Sequence, residues 1–335
     1  MFNVLLRYFK TFKTEVDPGM LIRLILVGFL IILIVSSVII KIEPEHFSNF
    51  GDAFWWSIVT ATTVGYGDFF PTSLWGRTAG VILMFLGIGL FGAITATVTD
   101  MFIKLQNRRE LGQLEAEYNN HILICGWNKK AKEIITQIIN ESIKNRQMVL
   151  VTNNIDRDPL PNNDLTHFIK GSIGDKEALL RAGVKRARTA IILNEDEDDA
   201  TTVLGVLNVK ELNPDIYTVA EISNPQNKTN MKNASVNEVI VHNDINSRIM
   251  VRTALYNGVS NVIGELLDNE YGNEIYIQDV EEDDLGEDYV DLLTKYKKQR
   301  DITLLGIKRD EKTLLNLHNT EKIKKDDQLI YVAKS

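Results

Sequence analysis

The sequence predicts three parts in series: an α-helical membrane domain with two spanning helices and a re-entrant helix between them, an α/β doubly wound domain, and a small α+β lobe. Two apolar stretches, Leu21 to Ile40 and Trp75 to Ile103, are each long enough to cross about 30 Å of hydrocarbon as a helix. Between them lies a segment that is equally apolar but too short to cross. From Tyr118 onward short apolar runs alternate with helical patterns, the signature of β-α-β units on a parallel sheet.

Charge divides the chain at the same place. Of 37 Lys and Arg and 45 Asp and Glu in all, residues 1–110 hold nine and eight, which leaves 28 against 37 for residues 111–335. An acidic body of this kind argues against a nucleic-acid partner, because phosphate binding needs clustered basic side chains. The single cysteine, Cys125, excludes an internal disulfide framework and a multi-cysteine metal site, and it suits a reducing cytosol.

Residues 1–19 place Phe2, Leu5, Leu6, Phe9 and Phe12 at helical spacing opposite Arg7, Lys10 and Lys13. This reads equally as an amphipathic helix in the lipid headgroup layer or as a frayed basic tail. Residues 20–106 form the membrane domain. Its first spanning helix is expected over 20–42. A signal peptide would have an apolar core of only about 7–15 residues ending at a small-residue site, whereas Lys41-Ile42-Glu43-Pro44 follows here. The second spanning helix is expected over 75–105, with no charge between Arg77 and Asp100. Basic flanks at Arg7, Lys10 and Lys13 and at Lys104, Arg108 and Arg109 orient both ends toward the cytoplasm, so the expected location is the plasma membrane, multi-pass.

Residues 51–70 hold the re-entrant element. Gly51-Asp52 is a helix start signal, and residues 53–63 can dip into the bilayer and return. Irregular backbone at that depth is tolerated only inside protein or lining a watery cavity. Gly65 and Gly67 are spaced to supply positive φ at alternate residues, which aims successive carbonyl oxygens at one axis.

Thr63-Val64-Gly65-Tyr66-Gly67 matches the selectivity-filter sequence of potassium channels. The resemblance implies a homotetramer in which the carbonyls of Thr63, Val64, Gly65 and Tyr66, with the Thr63 hydroxyl innermost, replace the water around permeant K⁺. It also implies a supporting hydrogen bond between Trp55 and Asp68. Val59 stands where some members carry a glutamate behind the filter. Gly87 matches the glycine at which the inner helix bends in channels of this kind. Gly87, Gly89 and Gly92 each cost about 1 kcal/mol relative to alanine in a helix, and close helix packing accounts for them equally well. No segment has arginines at every third position, so no voltage-sensing helix is expected.

After a linker at 107–118, residues 119–243 carry six expected strands: 121–125, 147–152, 166–170, 188–193, 215–221 and 237–241. This is a Rossmann-like arrangement, whose ligands sit at the carboxyl ends of the strands. The turn Gly126-Trp127-Asn128-Lys129-Lys130-Ala131 keeps the first glycine and the last small residue of a dinucleotide fingerprint but has Asn128 for the second glycine. The second strand ends Thr152-Asn153-Asn154, without the acid that would hold a ribose. NAD is therefore disfavoured, while another nucleotide or Ca²⁺ stays open as the regulatory ligand. Gly126, Asn128, Asn153, Asp175, Asn194 and Glu221 are the candidate crevice residues. The acidic run Glu195 to Asp199 reads either as oxygen ligands for a hard cation, with Glu195, Asp196 and Glu221 as candidates, or as the charged start of a helix near Asp198.

Residues 121–127, 170–175, 181–184 and Ala220-Glu221 resemble the domain that regulates conductance of K⁺, the RCK domain, found in calcium-gated archaeal channels and related bacterial ones. In the calcium-gated archaeal type the ligands match Asn194, Glu221 and Ser223, of which only Glu221 keeps its acid. The resemblance implies that residues 244–270 are crossover helices for dimerisation, that 271–335 form a C-terminal lobe with strands in DITLLGIK and DQLIYVAKS, and that the lobes join in a ring, octameric where additional copies are supplied. The five histidines are scattered, and no nucleophile elbow or P-loop is present. The expected function is a ligand-gated potassium-selective channel and not an enzyme; the alternative is a membrane-anchored NAD-dependent oxidoreductase.

Overall fold

A computed structural model of the chain describes residues 19–140, 146–195, 198–267, 272–310 and 312–334. The amphipathic N-terminal stretch through residue 18 and the candidate ligand Asp196 lie outside the described residues. The chain divides into two compact units, Met1–Glu110 and Leu111–Ser335.

The first unit holds three helices: α1 (Gly19–Ile42), α2 (Phe50–Ala61) and α3 (Leu74–Glu110). Only 17% and 11% of the most apolar windows of α1 and α3 are buried within the chain. Core helices of a soluble protein would be mostly covered, so these surfaces call for lipid or further subunits. The short helix starts at Phe50, not at the Gly51-Asp52 signal, because Asn49 caps it. Its Oδ1 accepts from Asp52 N–H at 3.0 Å and its amide donates to the Asp52 carboxylate at 2.9 Å, a reciprocal cap that asparagine makes well. Phe47, Ile39, Ala53, Trp56, Ala61 and Leu83 form the common core. The hydroxyls of Ser36 and Ser57 meet at 3.1 Å, which brings α1 and α2 close.

The inner helix α3 runs past residue 105 into the stretch expected as linker and ends at Glu110. Local pairs support the extension: Lys104 with Asp100 at 2.7 Å and Gln106 with Glu110 at 3.2 Å. Gly112, at φ +64°, then turns the chain out of helical backbone. The helix is unbroken through Gly87. A Cβ at Gly87 would lie 2.5 Å from the carbonyl oxygen of Ala61, so this glycine lets α3 pack against the end of α2.

The second unit begins with a parallel sheet in the order β3-β2-β1-β4-β5-β6. Its strands are β1 (Ile122–Cys125), β2 (Met148–Thr152), β3 (Thr166–Lys170), β4 (Thr189–Ile192), β5 (Tyr217–Ile222) and β6 (Glu238–Val241). The helices between them are α4 (Lys129–Asn140), α5 (Lys176–Arg181), α6 (Asp199–Leu212) and α7 (Lys228–Asn233). Alternate residues of β1 and β2 feed two cores: Leu123, Cys125, Val149 and Val151 on one face, Ile122, Ile124, Met148 and Leu150 on the other. Strands buried on both faces read as continuous apolar runs, which is why the sequence marks them clearly. The strand order reverses between β1 and β4, and ligands of such folds ordinarily bind at that switch point.

Helices α8 (His242–Leu255) and α9 (Val259–Leu267) follow and bury none of their residues within the chain. The last lobe is an antiparallel sheet, β7-β10-β8-β9, of β7 (Asn273–Asp279), β8 (Thr303–Arg309), β9 (Lys312–Leu315) and β10 (Gln328–Lys334). Its core closes on Tyr289, Leu292 and Tyr296 of α10 (Tyr289–Arg300). The sequence reading marked only β8 and β10. In α10 Tyr289, Leu292, Leu293 and Tyr296 stand at the i, i+3, i+4, i+7 spacing of a helix facing a core.

Candidate ion pathway and ligand crevice

Helix α2 delivers the chain into the re-entrant loop. Thr63, Gly65 and Gly67 adopt φ of 59°, 58° and 77°, alternating with Val64 and Tyr66. A left-handed non-glycine residue costs on the order of 1–3 kcal/mol, and the structure holds Thr63 there through its neighbours. Thr63 N–H donates to the Thr60 carbonyl at 3.1 Å, and the Val64 and Gly65 amides both donate to the Val59 carbonyl, at 3.0 and 3.2 Å. These amides are thus anchored to the last turn of α2. No other atom of the chain lies within 4 Å of a Cβ built on Gly65 or Gly67, so within one copy it is the backbone conformation that requires glycine at both.

Beyond the loop, Trp55 Nε1 donates to Asp68 Oδ2 at 2.9 Å, and the Trp55 and Tyr66 rings stack at 5.9 Å between centroids, 6° from parallel. Sequence reasoning named Trp55 and Asp68 but not the stacking.

It also missed Glu43. This carboxylate, 4% exposed, follows α1 and accepts from the backbone amides of Thr72 at 3.0 Å and Ser73 at 2.5 Å and from the Thr72 hydroxyl at 3.3 Å. The hydrogen bonds from Ser73 and Thr72 outweigh burial and hold its pKa down at about 2. A Cβ on Gly76 would come 2.5 Å from Glu43 Oε1, so a glycine in the first turn of α3 leaves room for the anion, which also suits the positive end of the helix dipole. The available signal was an acid placed directly after an apolar span.

In the second unit the candidates cluster at the carboxyl ends of β1, β4 and β5. Asn128 Oδ1 accepts from Ala131 N–H at 3.0 Å, capping α4, and its amide donates to the Asn194 carbonyl at 3.2 Å. Asn194 donates to Asp199 at 2.6 Å and to the Ser223 hydroxyl at 3.1 Å. Burial pushes the Asp199 carboxyl up, but hydrogen bonds from Asn227, Ser223, Asn224 and Asn194 outweigh it and leave the group below the usual carboxylate range. Glu221 is ion-paired with Lys130, with His242 Nδ1 3.8 Å away. At Gly126, φ is 105°, and Glu195 accepts hydrogen bonds from Trp127 N–H at 2.6 Å and from the Thr152 hydroxyl. Two buried acceptors, Asn194 Oδ1 and Glu221 Oε2, have no hydrogen-bond partner among the described residues.

The other candidates stand apart from this cluster. Asn153 is exposed just past β2, and Asp175 caps α5 by accepting from Glu177 N–H at 2.9 Å. Among the described residues no three His, Cys, Asp or Glu side chains converge as metal ligands. Glu195 and Glu221 are each engaged by donors, and Asp196, the third candidate of that set, lies outside the described residues. Asp198 instead caps α6, accepting from the Ala200 amide at 3.0 Å, which is the alternative reading of that run.

A re-entrant loop with alternating left-handed backbone, followed by a doubly wound lobe, defines a membrane channel with a regulatory domain. Residues 24–104 match the ion channel family, residues 122–242 the TrkA-N domain, and residues 243–335 the family described as Castor and Pollux, part of voltage-gated ion channel. The chain is 30% identical over 236 residues to the putative potassium channel protein YugO of Bacillus subtilis, covering 69% of this chain and 71% of that one. It is 28% identical over 264 residues to the calcium-gated potassium channel TvoK of Thermoplasma volcanium, covering 75% and 74%. In fold it is similar to the GsuK channel bound to NAD, with a TM-score of 0.50 at 18% identity, covering 94% of this chain and 57% of that one. The chain belongs to the potassium channel family, in the group whose membrane helices are joined to a TrkA-N domain.

Proposed function

We propose that four copies of the chain surround one K⁺ pathway, with Thr63, Val64, Gly65 and Tyr66 offering carbonyl oxygens to the dehydrated ion and Trp55 and Asp68 bracing the loop. The observation that carries this reading is the alternation of left-handed backbone at Thr63, Gly65 and Gly67 directly after α2. K⁺ moves down its electrochemical gradient, and no bond is made or broken. The basic residues flanking the two spans in the sequence support a cytoplasmic side for both flanks, in the plasma membrane. The oxidoreductase alternative leaves the filter sequence without a role.

Gating is assigned to ligand binding at the crevice of the doubly wound lobe. TvoK is calcium-gated by name, and GsuK has been solved with NAD. In this chain the unpartnered oxygens of Asn194 and Glu221 suit a ligand that brings hydrogen-bond donors or positive charge. Moving a gate from 1:99 to 99:1 takes about 5.5 kcal/mol of differential binding. Shared over a ring of eight lobes that is roughly 0.7 kcal/mol each, so weak sites suffice. Reconstitution in liposomes tests the reading: K⁺-selective flux blocked by barium is the expected result, and equal Na⁺ and K⁺ flux overturns it.

A further inference from the structure

The turn between the first strand and first helix of a doubly wound sheet is where an anion is ordinarily received, because free amides and the helix dipole converge there. In this chain the position is filled from within. The Trp127 amide, first after Gly126, donates to Glu195 Oε1 at 2.6 Å, and the Thr152 hydroxyl at the end of β2 donates to the same oxygen. A Cβ at Gly126 would lie 2.9 Å from the Leu193 carbonyl oxygen and 3.2 Å from Glu195 Cγ, so the glycine leaves room for the chain after β4 and for this side chain. Glu195 arrives from the end of β4, across the point where the strand order reverses.

Beside this occupied anion position the crevice has the opposite demand. Asn194 and Glu221 are each 8% exposed, and each keeps one oxygen without a hydrogen-bond partner among the described residues. Lys130, the cation that could greet a phosphate, is engaged by Glu221. Unfilled acceptors alongside a position already holding negative charge favour a ligand rich in donors and oppose one that brings phosphate.

We propose that Glu195 is a built-in competitor for phosphate: a phosphorylated effector enters the crevice only by displacing its carboxylate, so Glu195 sets the selectivity between a nucleoside and its phosphates. This rests on reading the crevice as the regulatory site. It does not depend on the identity of the permeant ion.

Calorimetric titration of the full-length protein in detergent with adenosine and with ADP tests it, using wild type, Glu195→Ala and Glu195→Gln. Glu195→Ala is expected to tighten ADP binding at least tenfold while adenosine affinity stays within twofold. Glu195→Gln removes the charge but keeps the side chain, so its gain falls between, at least threefold. Equal ADP affinity in the three proteins, no ADP binding to either variant, or the same gain for adenosine overturns the proposal. Barium-sensitive K⁺ flux measured on the same preparations separates this outcome from failure of the channel reading.

Discussion

The filter loop and the β1–α4 turn solve related problems in opposite ways. Each uses a glycine with positive φ to expose backbone groups, Gly65 and Gly67 in one and Gly126 in the other. In the filter loop the amides of Thr63, Val64 and Gly65 are consumed by carbonyls of α2. In the β1–α4 turn the exposed group is an amide, and Glu195 covers it. A glycine motif thus specifies which backbone groups can be presented, while the neighbours decide whether they are available.

The sharpest way to break this comparison is Gly65→Ala. Its Cβ would meet nothing of its own chain within 4 Å, so within one copy the loss comes from the strained φ of 58°. Barium-sensitive K⁺ flux in liposomes should fall by about two orders of magnitude or more while tetramers persist on native gels, since about 3 kcal/mol at the site corresponds to that factor. Flux like wild type would remove the filter assignment. A smaller effect is expected from Gly87→Ala, where the added methyl meets the Ala61 backbone at 2.5 Å. Overpacking of this kind costs about 1–3 kcal/mol, read as a lowered thermal midpoint of the tetramer; an unchanged midpoint would show that α3 can shift away from α2. Smaller again is Trp55→Phe, which keeps the ring beside Tyr66 and deletes the bond to Asp68. A loss of about 1 kcal/mol should appear as a several-fold lower K⁺ over Na⁺ permeability ratio.

Acid separates the two units further. Glu43 has a folded pKa near 2 against an ordinary 4.5. Its stabilisation is therefore complete above pH 4.5 and lost as pH falls from there toward 2. In the second unit, burial and the nearby Arg186 charge depress His121 below its ordinary 6.5, despite its hydrogen bond to the Ala182 carbonyl. The unfolded chain then takes up the proton first, so stability falls already as pH drops below 6.5. Hydrogen exchange on the full-length protein between pH 7 and 5 should show β1 amides losing protection before those of α2, and His121→Gln should flatten that loss. Simultaneous loss in both units would contradict the assignment.

Much of the fold was legible because its signals are local. Leu21 to Ile40 announces a span by length, and HILIC and QMVLVT announce strands buried on both sides. The filter was legible as a sequence of five residues, and Trp55 with Asp68 as its brace. Elsewhere the pattern was too sparse or too local to decide. β7 alternates exposed and half-buried residues and buries none of them fully. The acidic run after β4 reads in the sequence either as one set of ligands or as the charged start of a helix. Its described members have different tasks: Glu195 covers the β1–α4 turn, Asp198 caps α6, and Asp199 gathers donors from Asn194, Ser223, Asn224 and Asn227.

The sequence by itself determined the spanning segments, the alternating glycines of the re-entrant loop and the strands of the parallel sheet, because helix length, φ preference and apolar periodicity belong to short stretches of chain. Tertiary structure alone decided that Glu43 grips the start of α3 and that Glu195 closes the glycine turn. Those carboxylates lie 29 and 68 residues from the amides they bind, and only packing of α1 against α3, and alignment of β1 beside β4, brings them within hydrogen-bond reach.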